Sequence, residues 1–475
     1  MNKKIERVLE IFEQINNIPR KSKNEETISK WLYDWALQNG FEAEQDSFLD
    51  ILVKVPATPG YENYDTVVFQ GHMDMVCEKV PESTHNFLTD PIVMYQEDGW
   101  LKARETSLGA DNGIALAISM ALATDPDIKH PPLELLYTVD EETGLTGAVN
   151  LEPGWVSGKK LIHIDSEDEG VFTIGCAGGR DAKITLPKDS MESNSFDTSY
   201  EISIEGLKGG HSGVEIDQEK GNSNIMLARV LKNLDIQGIQ FGIASINGGT
   251  AHNAIPRNSK GIISFNKVDL PKLETVVKDI KAKLKDEYKI SDPGVNIVLN
   301  PCELKNVLSN KKIVDLILAL PNGVIYNSME MKGIVETSSN VAVIKTTQEN
   351  FELLMSQRSS VMSRLDEICN KIDSIVKLSG GSVVFGGGYP SWQPDFDSQI
   401  LKDLTKCYNE IFNREPIIEV IHAGLECGVI GAKYPGMEMI SIGPTIKSPH
   451  CPDEKMLIST VGDIWKLLSR YLENQ

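Results

Sequence analysis

The chain has 475 residues, with 47 basic against 68 acidic side chains and a formal charge of −21. That length fits about three structural units, or two with one enlarged, and 41% hydrophobic with 24% charged residues suits a globular chain with sizeable cores. The acidic balance excludes nucleic acid and anionic lipid as partners, because both require a basic surface.

The N-terminus opens on an amphipathic pattern (Ile5, Val8, Leu9, Phe12, Ile15) rather than a signal-peptide stretch, and no window reaches the apolar length of a membrane span. Seven cysteines are scattered with no C-x-x-C pair, as expected of reduced thiols in a cytoplasmic protein. Helices are expected over 3–16 and 24–39, the second closed by Asn39-Gly40. Extended segments follow near 48–55 and 66–70, then a helix over 112–123 and strands over 133–139 and 160–165. The apolar runs are short and β-prone, as for strands covered on both faces by helices, which predicts α/β architecture. Each run ends in a polar cluster: Gly71-His72-Met73-Asp74, Asp140-Glu141-Glu142 and Asp165. Sites in open α/β sheets gather at such strand ends.

From about 180 the texture changes. Residues 198–300 read strand, helix, two strands, helix, strand; residues 311–386 read helix, two strands, helix, strand. The pattern suggests a degenerate duplication whose second copy lacks a clear first strand. Amphipathic helices return over 397–413 and 453–472. The predicted organisation is therefore a catalytic domain of residues 1–185 and 389–475, interrupted by an α+β insert of residues 186–388 with halves at about 198–300 and 311–386.

Only eight histidines occur, so each can be weighed. In His72-Met73-Asp74 the imidazole could bind a metal through one nitrogen while Asp74 fixes the ring, although an isolated His-x-Asp is more often a polar loop. Asp111, in Gly109-Ala110-Asp111-Asn112-Gly113, could bridge two cations or simply cap the following helix. Glu141 and Glu142 are adjacent acids at a strand end, where neighbours point to different sides; one could ligate while the other faces substrate. Asp165 ends an apolar strand and would be a costly unpaired charge without a partner. His450 lies between Pro449 and Pro452, which would hold it rigidly. His163 shares a face with Asp165 and reads as a supporting or core histidine.

In this order the clusters match the di-zinc aminopeptidase/carboxypeptidase clan. More narrowly, they resemble the aminoacyl-histidine dipeptidase family (Xaa-His or beta-alanyl-histidine dipeptidases). The strings that carry the resemblance are Gly71-His72-Met73-Asp74-Met75-Val76-Cys77-Glu78, Ser107-Leu108-Gly109-Ala110-Asp111-Asn112-Gly113, Asp140-Glu141-Glu142-Thr143-Gly144, Ile164-Asp165-Ser166-Glu167, Gly209-Gly210-His211-Ser212-Gly213 and His422-Ala423-Gly424-Leu425-Glu426-Cys427-Gly428. The likeness runs from Pro19-Arg20-Lys21-Ser22 to Pro449-His450.

The resemblance implies a di-zinc peptidase-type catalytic domain, a mixed sheet between helices, with the insert as its lid. It implies two divalent ions, zinc by the donor chemistry with cobalt or manganese as alternatives. One is held by His72 and Asp165, the other by Glu142 and His450, with Asp111 bridging. Asp74 orients His72, and Glu141 serves as general base for a metal-bridging water that attacks the peptide carbonyl. In the insert, His211 is implied to reach the developing oxyanion and Asn253 to contact substrate. Arg358, with Asn340 as companion, is the nearest equivalent of a carboxylate-binding arginine. Glu426 either lines the pocket for the substrate's amino end or is a structural carboxylate.

The implied activity is a cytosolic dipeptidase cutting unblocked dipeptides, Xaa-His included. Two rivals stand beside it: an amidohydrolase or tripeptidase of the same clan, and a metal-binding regulatory protein that kept the fold but not turnover. Retention of Glu141, which ligates nothing, speaks against the latter. If His211 and Arg358 come from different halves of one lid, a single chain could complete its own site, with a homodimer still open.

Overall fold

Apolar runs flanked by turn residues become strands of one eight-stranded sheet in the computed structural model, which describes residues 2–188, 196–305, 307 and 311–475. The chain divides into two units: residues 1–176, 392–420 and 425–475 form the first, and 177–391 with 421–424 the second.

In the first unit the sheet order is Glu42–Gln45, Ile51–Val55, Leu133–Thr138, Val67–His72, Lys160–His163, Glu438–Ser441, Val171–Cys176, Ile417–Ile421. The central strands Leu133–Thr138, Val67–His72, Lys160–His163 and Glu438–Ser441 are mutually parallel, so their carboxyl ends share one edge. Every residue of Val67–His72 and Leu133–Thr138 is buried, as expected where both faces of a strand are covered. Helix Lys3–Asn16 packs against Ala110–Thr124 and Ile458–Glu473. Ala110–Thr124 is apolar nearly all round and correspondingly buried, with Ala, Ile, Leu and Met on every side. A hairpin, Met94–Glu97 with Trp100–Ala103, joins Lys455–Leu457 in a small four-stranded sheet that the sequence did not announce.

The second unit has one sheet in the order Asn296–Cys302, Thr198–Glu205, Ser259–Phe265, Phe241–Gly248, Val335–Thr346, Asn350–Ser359, Gly178–Pro187, Ser382–Phe385, with Gly323–Asn327 beside Val335–Thr346. Helices Ser223–Ile236, Leu270–Glu287, Lys312–Ala319 and Met362–Ser379 supply the apolar side chains that bury its core. The two halves repeat one pattern of strand pairing, and the strand that completes the second is Gly178–Pro187. That strand pairs antiparallel with Asn350–Ser359, as Thr198–Glu205 pairs with Ser259–Phe265 in the first copy. The first copy is thus inserted between the first strand and first helix of the second. The two meet at Phe241–Gly248 and Val335–Thr346, with Gly248 opposite Ile344. This also corrects the expected boundary: it falls at 176/177 rather than 185/186, because Gly178–Pro187 belongs to the second sheet.

Among the described residues no helix is long and apolar enough to cross a membrane. All seven cysteines are free thiols.

Candidate metal centre

The parallel strands deliver their polar ends to one place. His72 closes Val67–His72, Asp165 follows Lys160–His163, and Glu141 and Glu142 lie just past Leu133–Thr138 in the short helical turn Glu141–Gly144 rather than on an extended strand end. Asp111 (φ −80, ψ 106) is not helical but lies at the kink where the helix begins, and its carboxylate is turned to two histidines. Its Oδ1 is 3.0 Å from His72 Nε2 and its Oδ2 3.0 Å from His450 Nε2. Asp165 Oδ1 is 3.6 Å from His72 Nε2, and Glu142 Oε2 is 3.1 Å from His450 Nε2. The sequence-predicted ligands therefore meet as two overlapping groups, His72–Asp111–Asp165 and Asp111–Glu142–His450, each with donor atoms within 4.8 Å of one another. Glu141 stands at the edge of the cluster, grouping with His72 and Glu142 by the same distance.

Asp74 lies behind His72, its Oδ1 3.2 Å from Nδ1, and takes the Ser22 hydroxyl on Oδ2 at 2.8 Å. His163 is fully buried, with Nε2 3.1 Å from Asp165 Oδ2, on the far side of that carboxylate from His72.

Electrostatics identify what the cluster lacks. Among the described residues no lysine or arginine pairs with Asp111, Glu142 or Asp165; their ion-pair partners are imidazoles. Burial would raise the Asp111 carboxyl, but hydrogen bonds with His450 and His72 hold it well below its usual range. Hydrogen bonds to Asp111 and Glu142 push His450 up to about 11. Burial opposes a charge on His72, yet Asp111 and Asp74 raise it well above an ordinary histidine. Glu142 Oε1 is buried with no partner. Acids that draw protons so strongly onto two imidazoles form a donor set suited to divalent cations, which bind neutral imidazole and carboxylate together. Glu141 differs: burial, with the charges of Asp165 and Glu142, pushes its carboxyl well above the usual range against the pull of His72.

The main chain of both acid-bearing loops is pinned by further acids, and these supports were not read from the sequence. In the turn leading to Glu141, consecutive amides donate to carboxylates: Val139 to Asp50 (2.9 Å), Asp140 to Glu25 (3.0 Å), and Glu141 and Glu142 to Asp74 (3.1 and 3.3 Å). Asp140 in turn accepts from the Thr143 and Thr146 hydroxyls. Asn112 accepts from His72 N–H at 3.1 Å and donates to Ile164 carbonyl at 2.6 Å, tying together the strands that carry His72 and Asp165. The buried Arg20 donates to the carbonyls of Met73 (3.1 Å), Asp74 (3.0 Å) and Gly109 (2.6 Å). The one available signal was glycine. A Cβ at Gly71 would overlap Asn112 and Ala115, and one at Gly109 or Gly113 would meet the Arg20 guanidinium.

Glu426 is fully buried and accepts from Gln70 Nε2 (2.7 Å) and Thr138 Oγ1 (2.8 Å), with its other oxygen unpartnered. A cavity of about 520 Å³ lined by Tyr64, Lys160, Asp403, Cys407 and Tyr471 contains none of these groups.

The second unit holds its own polar cluster. His211 pairs across a two-residue ladder with Ala254, and its Nδ1 accepts the amides of Gly213 (3.1 Å) and Val214 (3.2 Å). With Nδ1 accepting, the neutral ring carries its proton on Nε2, which is thereby a donor. Burial, then the nearby Arg358 charge, lowers the His211 pKa and keeps the ring neutral. Arg358 is 6% exposed and donates to the Tyr389 hydroxyl at 2.9 Å; its Nε has no partner, and among the described residues no carboxylate pairs with it. Asn340 is buried, donating to Ala254 carbonyl (2.8 Å) and accepting from Asn222 (3.2 Å). Asn253 offers its carbonyl to Ser212 N–H (2.8 Å) while its side chain is partly exposed. His422, left without a role by the sequence, bonds the Ser338 hydroxyl at 2.7 Å, and burial followed by the Arg358 charge lowers it to about 3.

The fold and donor set define a class, and comparison with known proteins agrees. The profile of peptidase family M20/M25/M40 matches residues 68–474, and the chain belongs to that family. It is 40% identical over 474 residues to the cytosol non-specific dipeptidase of Escherichia coli (strain K12), covering 98% of this chain and 96% of that protein. Among solved structures it is similar to aminoacylhistidine dipeptidase from Vibrio alginolyticus, with a TM-score of 0.90 and 37% identity over 98% of this chain and 96% of that one. Aminopeptidase PepT from Bacillus cereus, at TM-score 0.57 and 16% identity over 99% and 98% of the two chains, shares the fold.

Proposed function

We propose that the protein is a metal-dependent dipeptidase acting on unblocked dipeptides, Xaa-His included, in the cytoplasm. The observation that carries this reading is the convergence of His72, Asp111, Glu142, Asp165 and His450 at the carboxyl edge of the parallel strands, with Glu141 beside them. The names of the relatives support it, as does the fact that among the described residues no lysine or arginine pairs with these acids.

In this reading His72 and Asp165 would hold one divalent ion and Glu142 and His450 a second, with Asp111 serving both. Bound there, the ions would polarise a peptide carbonyl and lower the pKa of water. Zinc suits the mixed imidazole and carboxylate donors, and cobalt or manganese would fit as well. Asp74 fixes the ring of His72 through Nδ1, leaving Nε2 for the ion. Glu141, beside the cluster, accepts the proton of the attacking water on its carboxylate and delivers it to the leaving amine.

The second-unit cluster is assigned to the substrate's remaining charges. A guanidinium that pairs with no carboxylate among the described residues suits a peptide carboxylate, and Asn253 and Asn340 are assigned to the same substrate. A histidine that donates through Nε2 suits a developing oxyanion. Both halves of the second unit contribute to this cluster, His211 from the first and Arg358 from the second. Glu426 is assigned to the support of Gln70 and Thr138 rather than to the substrate's amino end.

Metal analysis of the purified protein, together with hydrolysis of Gly-His, beta-Ala-His, a tripeptide and an N-acetyl amino acid, tests the proposal. Two ions per chain and turnover of the unblocked dipeptides are expected; turnover of the acetylated substrate alone would overturn it. Glu141→Ala should lower kcat by about 10²- to 10⁴-fold, the usual range for a general base, with both metals retained.

A further inference from the structure

The segment that carries His450 continues directly into an acid with no part in the chemistry above. Glu454 is 2% exposed, and its backbone N–H closes a turn onto Cys451 carbonyl at 3.0 Å, so it moves with the His450 loop. Its carboxylate reaches the Asp111 loop and accepts four consecutive amides there: Oε2 takes Leu108 N–H (2.8 Å) and Gly109 N–H (3.0 Å), and Oε1 takes Ala110 N–H (2.8 Å) and Asp111 N–H (3.3 Å). Successive amides pointing inward form a concave anion site, and here the anion is a side chain of the same protein. The opposite face of that loop is gripped by Arg20 through Gly109 carbonyl at 2.6 Å. Gly109 makes the double grip feasible, with φ +67 and no Cβ to meet the guanidinium.

We infer that Glu454 is a positioning residue: by strapping the His450 turn to the amides of Leu108–Asp111, it sets the placement of Asp111 relative to His450 and hence the affinity for the ion those two residues share. The inference rests on the dinuclear reading and extends it to a residue outside the ligand set. Four donors facing two oxygens require a full carboxylate. In Glu454→Gln the terminal NH₂ confronts two amide N–H groups and cannot accept from either. In Glu454→Asp the charge remains but sits one methylene short of the loop.

Calorimetric titration of the metal-free protein with Zn²⁺, with circular dichroism to confirm folding, tests this. The wild type should bind two ions. Glu454→Gln should weaken one of the two by about 10- to 100-fold, the range for groups that orient metal ligands, and leave the other within twofold. Its kcat should recover at saturating metal with KM unchanged, and the visible spectrum of the Co²⁺-loaded variant should change for one ion only. Glu454→Asp, retaining the charge, should show the same pattern more weakly and supplies the answer if Gln prevents folding. Asp453→Asn, an exposed acid one residue away, should leave both affinities unchanged. Both affinities within twofold of wild type in a folded Glu454 variant, whatever its melting temperature, would overturn the inference. A wild-type stoichiometry other than two would instead overturn the dinuclear reading, and this inference with it.

Discussion

Asp50 should make the stability of the first unit depend on pH in a direction opposite to that of an ordinary ion-paired carboxylate. The side chain is completely buried; Oδ1 accepts from Val139 N–H and Oδ2 has no partner. Burial, reinforced by the charges of Asp46 and Glu426, pushes its pKa from 3.8 up to about 9. A carboxyl raised in this way takes up a proton on folding, so its stabilising contribution is complete below about pH 3.8 and is lost as pH rises toward 9. Between those limits the loss is about 1.4 kcal/mol per pH unit, or about 4 kcal/mol from pH 5 to pH 8. Asp50→Asn keeps an oxygen for Val139 N–H and never ionises, although an NH₂ without an acceptor costs about 1–3 kcal/mol at every pH. The stability of the variant relative to wild type should therefore improve by about 4 kcal/mol over that interval. All six tryptophans lie in the first unit, so tryptophan fluorescence during urea unfolding isolates the relevant transition. Parallel stability–pH profiles for the two proteins would refute the argument.

Two further substitutions probe the loops and the second-unit cluster. Gly109→Ala places a Cβ on a residue at φ +67 and against the Arg20 guanidinium, and should destabilise by about 2–4 kcal/mol, read as a lowered melting temperature of the metal-free protein. Arg358→Lys removes the planar fork but keeps the charge; it should raise KM for dipeptides by about 10-fold or more, with much less effect on substrates whose carboxyl is amidated, compared in steady-state assays.

Much of this molecule is legible in its sequence because the relevant signals are local. Apolar runs such as Val67–His72 and Leu133–Thr138 announce buried parallel strands, and the acids and histidines that follow them announce the site. What escaped reading depends on partners distant in sequence. Glu454 binds a loop some 345 residues earlier, and Arg20, although it opens the family-like strings, grips carbonyls up to 89 residues away that no local pattern names. Glycines at 71, 109 and 113 signalled close approach without naming what approaches. Gly178–Pro187 escaped for a topological reason: the copy to which it belongs resumes only after another complete copy has intervened.

That interleaving also constrains how the chain can be made. Leu186 finds its partner, Phe351, 165 residues later, and at about 5–20 residues per second synthesis takes about 10–30 s to span the gap. Throughout that interval Gly178–Pro187, with Ala182, Ile184 and Leu186 destined for burial, emerges from the ribosome without a neighbour. The intervening copy has its four large-sheet strands and both α-helices in one contiguous stretch and can condense first, presenting Phe241–Gly248 as a template for Val335–Thr346. Nascent chains stalled before residue 350 would then expose an unpaired apolar strand, the state in which holdase chaperones and proteases have their opportunity.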